Sequence, residues 1–529
     1  MRWAGLLLAA IVLSGCGRGT RSDDPTDEAN LGPTIGSVAQ VSEPQPTIVD
    51  GFGVVAGLPG TGSGACPTGL RPYLKQYILA QTRDRAIDVD DFIKSDNTAV
   101  VWLEGTIPAT ASPGDTFDVR VRPVAGADTT SLHGGWLYTA ELRRRASSGI
   151  RGRALATAEG PVFVNTIGTT DPDGADGYVI GGATARFGYT GVLRLRRPDF
   201  GTASAIRNRL NERYGVDTAA AVSATDVAFV IPAAYQRRKA RFVSMVAATY
   251  VSETAQLVPT RVDAFVAQLA GGGNKQRSEI ALEAIGRRCL PKLAALLKSP
   301  DEEVRLRAAR CAMSLGDDRA LEPLRTMALE TTSPYRLDAL AAVAASGQRN
   351  DATALARRLL RDRDTSIVLA AYEHLREMED MAVRQEFVGR SFYLEHVTET
   401  DRQAIFVARS GDPRIVIFGP PLKCRDNLFV ESPNQMVVVN SRAGEDYATL
   451  TRQEPNRDGV IGPIRCALSP GEIVRALGSE QSSRGGGPSG LGTSYSDIAA
   501  VLEQMCAKGG LAAEFWPGPL PKNGLIVKK

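Results

Sequence analysis

A helical repeat governs what this 529-residue chain can become. Between residues 259 and 392 alanine, leucine and arginine dominate. There Val304-Arg305-Leu306-Arg307-Ala308-Ala309 aligns with Tyr335-Arg336-Leu337-Asp338-Ala339-Leu340 at an offset of 31 residues. The same step reaches Ser366-Ile367-Val368-Leu369-Ala370-Ala371, and Gly316 and Gly347 keep it. A unit of that length reads as helix–turn–helix, with an apolar face that only its neighbour can cover. The segment is therefore expected to stack as an α-solenoid, with an incomplete unit at Ile280–Lys298 in front of the two clearest repeats.

The flanks follow a different period. In Thr116–Val121, Phe117, Val119 and Val121 alternate with Asp118 and Arg120, the period of a half-exposed strand. Ile48–Gly53, Val54–Leu58, Ala99–Leu103, Trp136–Leu142, Arg153–Val164 and Asp226–Ile231 read as further strands. Leu70–Gln81, Ala203–Tyr214 and Lys239–Tyr250 read as helices, the second capped by Thr202 and ended by Gly215. Strand signals return at Ile415–Phe418, Leu428–Val430 and Met436–Asn440. Ser494-Tyr495-Ser496-Asp497 resembles a capping box that opens a helix with Ile498, Val501, Leu502 and Met505 on one stripe. Leu511–Trp516 is expected to close the fold as a short strand. The expected class is α+β, a β-rich body interrupted by an α-solenoid. Its length suits three or four domains at about 100–200 residues each.

The N-terminus sets the compartment. Arg2 precedes a short apolar run, Ala4–Val12, too brief to span a bilayer. Leu13-Ser14-Gly15-Cys16 follows and resembles the lipobox of bacterial lipoproteins, which implies a lipid on Cys16, export and sorting of the anchor to the outer membrane as expectations. Residues 17–45, rich in Ser, Thr, Asp, Pro and Gly, are expected to be a flexible tether. The expected division is thus 1–16 leader, 17–45 tether, 46–258 body, 259–392 repeats, 393–480 β-rich segment, and 481–529 loop, helix and closing strand. Export permits disulfides. Cys289 and Cys311 read as buried thiols, two of Cys424, Cys466 and Cys506 could pair, and the six cysteines after Cys16 allow fifteen full pairings.

Candidate chemistry is thin. Gly51-Phe52-Gly53-Val54-Val55-Ala56 fits G-x-G-x-x-A, but Gly57, Pro59, Gly60 and Gly62 follow at once and no helix can begin there to hold a pyrophosphate. The glycines instead suit tight turns and close chain approach. The three histidines, His133, His374 and His396, lie apart from any ligand-spaced acid or thiol cluster. Asp171, Asp173 and Asp176 lack the later Glu of a calcium loop and read as turn residues. No metal, cofactor or catalytic group is expected, and the chain reads as a non-enzyme. With 62 Lys+Arg against 59 Asp+Glu there is no charge excess to attract nucleic acid. The basic clusters Arg143–Arg145, Arg194/Arg196/Arg197 and Arg237–Arg241 read as solvated faces, or as a contact for an anionic partner.

Two further resemblances complete the reading. The 31-residue units resemble short bacterial HEAT-like repeats. Ile48-Val49-Asp50-Gly51-Phe52-Gly53-Val54-Val55-Ala56-Gly57-Leu58-Pro59-Gly60-Thr61-Gly62 resembles the N-terminal signature of the bacterial flagellar P-ring family. Ser95–Val101, Pro113–Val119, Ser131-Leu132-His133-Gly134-Gly135 and Ala154–Gly160 resemble its later blocks in order, and 490–516 resembles its final helix. The resemblance implies a structural subunit that self-assembles into a ring around the flagellar rod in the periplasm, near peptidoglycan and the L-ring. The alternative is a periplasmic lipoprotein scaffold or binding module that uses the helical repeats to hold a protein or envelope partner.

Overall fold

A computed structural model describes residues 31–42, 44–81, 88–145, 152–168, 174–453, 459–480 and 490–521. Cys16 and its lipobox, Asp171 and Asp173, and the glycine-rich stretch 481–489 lie outside the described residues.

The first body is a closed six-stranded barrel. Around it run Thr47–Ala56, Thr98–Ile107, Thr116–Pro123, Gly177–Ala185, Ala154–Pro161 and Trp136–Arg144, the last returning to the first. Closure removes free sheet edges, and side-chain alternation fills the interior. Phe117, Val119 and Val121 point inward to meet Leu103, Leu137 and Val179, as their period requires. Thr47–Ala56 is one ten-residue strand and not two, because it pairs unbroken with Thr98–Ile107.

Beside the barrel lies a four-stranded sheet in the order Ala39–Val41, Gly191–Leu195, Asp226–Phe229 and Ala219–Ala221. It is covered by the helices Phe200–Tyr214 and Lys239–Ala248. The cap of the first is Asp199 and not Thr202: Asp199 accepts from both the Thr202 amide and its hydroxyl. Gly215 ends the helix at φ +115°.

The strand Ala39–Val41 corrects the expected tether. Although residues 31–42 carry few large apolar groups, Ile35 is fully buried, Ala39 nearly so, and the Ile35 amide bonds Thr249 O at 2.8 Å. Well-placed small residues and strand pairing suffice to order this segment. The folded body therefore includes residues 31–42, ahead of the expected boundary at 46.

Helices then stack from Leu257–Ala270 to Thr365–Glu377 as antiparallel pairs. Their core is continuous from Leu31 and Tyr250 through Leu282, Leu324 and Val368 to Phe418 and Trp516. The helical run ends at Glu377, short of the expected boundary at 392. Val383–Val388 is a strand because it pairs along its whole length with Phe392–Val397.

The second β body holds two sheets. One has the order Val383–Val388, Phe392–Val397, Arg414–Phe418, Ala404–Val407 and Glu514–Pro517. The other is a meander of Leu428–Glu431, Val437–Ser441, Tyr447–Gln453 and Val460–Ala467. The closing strand Glu514–Pro517 runs parallel to Ala404–Val407, which fixes the C-terminal end to the sheet just after the repeats. Pro470–Gly478 adds a helix inside the expected β-rich segment. Cys424, Cys466 and Cys506 meet in one core but remain thiols, as do Cys66, Cys289 and Cys311. Among the described residues no helix is long and apolar enough to cross a membrane.

Candidate assembly junction

Three stretches far apart in sequence converge on one end of the barrel. The loop after Ala56 laces along the strand Thr98–Ile107: the Leu58 amide donates to Asn97 O at 3.0 Å, Gly62 to Asp96 O at 2.8 Å and Ser63 to Thr98 O at 2.9 Å. Gly51 and Gly53 lie within the barrel strand, whereas Gly57 and Gly60 turn the loop at φ +81° and +75°. At Gly62 a Cβ would stand 2.1 Å from Thr98 O and 2.7 Å from Asp96 O. Only glycine lets the two chains approach this closely.

Two glycines therefore answer different needs. Gly62→Ala is expected to cost about 3 kcal/mol, the upper end for forcing atoms into a packed site. Gly57→Ala, with open space at its Cβ, meets only the left-handed backbone penalty of about 1–2 kcal/mol. Urea unfolding of the two variants checks the order.

Thr61 ties this loop to the next. Its hydroxyl donates to Ser131 O at 2.8 Å, and its carbonyl accepts from the Thr130 amide at 2.9 Å. Leu132 is fully buried in the barrel core. A tight turn, with Gly134 at φ +74° and the Gly135 amide on Leu132 O, then presents His133 outward.

The helix Tyr495–Ala507 meets that turn. Ser494 caps it by accepting from the Asp497 amide at 3.1 Å, and the Ser494 hydroxyl donates to the Asp497 carboxylate at 2.8 Å. Ile498, Val501, Leu502 and Met505 are all fully buried in the second β body, as the apolar stripe requires. The N-terminal turn crosses to the barrel. Ser496 Oγ accepts from the Val164 amide at 3.1 Å, Phe163 and Tyr495 pack at 5.8 Å between ring centroids, and Glu503 accepts from the Gly168 amide at 3.0 Å. Asp118 of the barrel likewise accepts from the amides of Gly181 and Gly411, spanning both bodies at 2.7 and 2.9 Å.

His133 Nε2 lies 3.3 Å from Asp497 Oδ1, and Asn434 Nδ2 is 3.4 Å from His133 Nδ1. Burial alone would lower the imidazole pKa, but the Asp497 carboxylate outweighs it and the pKa is raised. A histidine raised in this way contributes stability below its unfolded-chain pKa and loses it as pH rises through the folded value. Raising pH from about 6 to 9 should therefore loosen the helix Tyr495–Ala507. Hydrogen exchange at Val164 and Gly168 would report this, and His133→Gln should flatten the dependence. Sequence reasoning assigned His133 to a turn and missed its partner, since nothing local links it to a residue 364 positions away. The trio does not form a hydrolytic relay: Ser494 donates to Asp497 and makes no bond to His133, so no base activates it.

Two ion clusters hold the helical repeats at either end. At the entry, the fully buried Glu279 binds Arg310 through two 2.6 Å bonds and Arg241 through one, with Arg307 at 3.2 Å. Glu283 joins Arg241 at 2.6 Å and Arg238 at 3.3 Å. At the exit, the fully buried Glu395 accepts from Tyr372 at 2.5 Å and Arg376 at 2.9 Å. The basic clusters divide: Arg143 pairs with Glu141 and Lys239 with Asp115 as largely buried fasteners, whereas Arg194, paired with Asp226, is 74% exposed and shares a solvated face with the exposed Arg196 and Arg197, as expected. The sequence shows the charges but not the carboxylates they meet.

The barrel loops thus interlock with the C-terminal helix, and the helical stack is clamped between two ion clusters. Residues 34–262 match the family model described as flagellar P-ring protein, and residues 262–345 match that of HEAT repeats. The chain is thus similar to the flagellar P-ring family over residues 34–262 and to HEAT repeats over residues 262–345. Among relatives, the flagellar P-ring protein of Aeromonas hydrophila is 32% identical over 200 residues, 34% of this chain and 52% of the relative. Those of Thiobacillus denitrificans and Pseudomonas entomophila are 30% and 28% identical, over 44% and 43% of this chain and 62% and 61% of the relatives. The chain spans between half and two-thirds of the length of these relatives. Residues 490–516 lie outside the family match.

Proposed function

We propose that this chain is a structural subunit of a P-ring-like assembly around the flagellar rod, anchored by a lipid on Cys16. Copies associate through the barrel body, and a head-to-tail contact closes into a ring when its rotation permits. The observation that carries this reading is the coincidence of the P-ring family match with the barrel and its adjoining sheet, the part that folds around Gly51–Gly62 and Ser131–Gly135. The rod, the L-ring and nearby peptidoglycan are the neighbours such a subunit meets in the periplasm, with the lipid in the outer membrane.

Cryo-electron tomography of cells carrying a tagged copy tests it. Label at basal bodies, and lost motility on deletion, is the expected result. Label elsewhere with motility intact would refute it. Cys16→Ser should abolish palmitate labelling if the anchor is as proposed.

A second reading is favoured by the HEAT match and by the clamped geometry of the repeats: a periplasmic scaffold that holds a protein or envelope partner on the helical stack. Co-purification of a partner that is lost on replacing exposed residues of 302–361, with no basal-body label, would support it over the first.

A further inference from the structure

A cleft of about 1720 Å³ separates the barrel from the four-stranded sheet, more than a small-molecule site needs. Four arginines line it: Arg144 and Arg145 at the end of the barrel strand Trp136–Arg144, and Arg194 and Arg196 at the end of the sheet strand Gly191–Leu195. All four residues are exposed. Among the described residues no Asp or Glu lines the cleft. Arg145 meets Glu104 at 2.7 Å and Arg194 meets Asp226 at 3.2 Å, both carboxylates lying off the lining, and Arg196 has no carboxylate partner among the described residues.

The cleft also has an open backbone edge. Ala39–Val41 pairs with Gly191–Leu195 on one side only, and Ala39, Gln40, Val41 and Ser42 border the cleft. An extended peptide can bond to such an edge while its side chains meet the arginines. A small free anion would use neither the edge nor the length of the cleft. The arginines call for carboxylates, so the guest that fits is an acidic peptide segment.

The chain itself carries such a segment. Asp23-Asp24-Pro25-Thr26-Asp27-Glu28 holds four carboxylates in six residues with no Lys or Arg among them. It lies outside the described residues, and Glu28 precedes Leu31 by three positions. The basic wall begins close to that attachment point. The Arg196 amide donates to Val38 O at 2.9 Å, and Ile35–Val38 is coiled into a helical turn. Leu31 and Val38 are therefore at most about 20 Å apart, whereas the eight steps back from Leu31 to Asp23 span up to about 28 Å. We propose that the acidic segment Asp23–Glu28 docks in this arginine-lined cleft of its own chain, against the open edge of Ala39–Val41. Tethering gives the segment an effective concentration of about millimolar order, which lets ion pairs that are individually weak hold it and disfavours the same segment of another copy.

The full-length chain and a fluorescein-labelled peptide of residues 22–30, followed by anisotropy, test the assignment. A chain carrying Asp23→Asn, Asp24→Asn, Asp27→Asn and Glu28→Gln has its cleft freed and should bind the peptide saturably. The unaltered chain should bind it about tenfold more weakly, because its own segment competes. Adding Arg196→Glu to the neutralised chain should weaken binding about tenfold, and so should raising salt to about 0.5 M. Arg196 is exposed, and circular dichroism checks that this variant folds. No binding to either chain, equal binding to both, or binding unmoved by Arg196→Glu in a folded variant would overturn the proposal. Oligomers of the unaltered chain that dissociate when the segment is neutralised would assign it to a neighbouring copy and overturn the intramolecular contact.

Discussion

Glu279→Ala is expected to lower stability by about 3–5 kcal/mol, the range for removing one partner from a buried ion cluster. The loss follows from what stays behind. Arg241, Arg307 and Arg310 would lose the buried carboxylate they share, leaving Glu283 for Arg241 and Arg238, Glu303 for Arg307 and the more distant Asp338 for Arg310. Burial by itself would raise the Glu279 pKa, but Arg310 and Arg241 outweigh it and hold the carboxyl below its usual range. Its contribution is therefore complete above the unfolded value near 4.5 and disappears as pH falls through the folded value. Because the cluster joins the helix Lys239–Ala248 to the first repeats, the variant should release the helical stack from the barrel side before the barrel itself unfolds. Hydrogen exchange resolved by segment checks the order, and denaturant unfolding checks the size. A change under about 1 kcal/mol would mean that water reaches these groups, as it does at surface ion pairs.

The second large effect is expected at Leu502. Leu502→Ala removes a fully buried side chain from the helix Tyr495–Ala507 and should cost about 2–5 kcal/mol, depending on how far the site collapses. This helix seals the second β body and also supplies Ser496, Asp497 and Glu503 to the barrel junction. Losing its anchorage should therefore raise exchange at the Val164 and Gly168 amides, which lie in the other body. Unfolding in urea followed by tryptophan fluorescence gives the magnitude, since Trp516 lies in the strand that follows. A drop confined to the C-terminal body, with the barrel amides still protected, would show that contacts outside this helix, such as Asp118 with the Gly411 amide and Arg409 with Asn165, hold the junction.

The repeat region was legible because its signal is periodic. Alanine, leucine and glycine recur at one spacing, and each unit needs the next to cover its apolar face. The strand Thr116–Pro123 and the stripe Ile498, Val501, Leu502 and Met505 were legible for the same reason: burial on one side imprints a period on the sequence. Errors fell where the period is weak. Residues 31–42 are polar and small enough to pass for a tether, yet Ile35 and Ala39 fill a core that only the folded sheet provides. Val383–Val388 has four exposed residues between two buried ends, so its alternation carries no signal and pairing alone makes it a strand.

What the chain determined locally is the order of its parts: glycine turns, barrel strands, repeated helices, returning strands and a capped final helix. Each depends on neighbours within a few turns, and so it can be read from adjacent residues. The tertiary structure decided which charges find one another. Glu279 with three arginines, Glu395 with Tyr372 and Arg376, and His133 with Asp497 are pairings across distant segments. The physical reason is that a charge in water is indifferent to its eventual partner. Only burial makes the pairing matter, and burial is a property of the assembled fold.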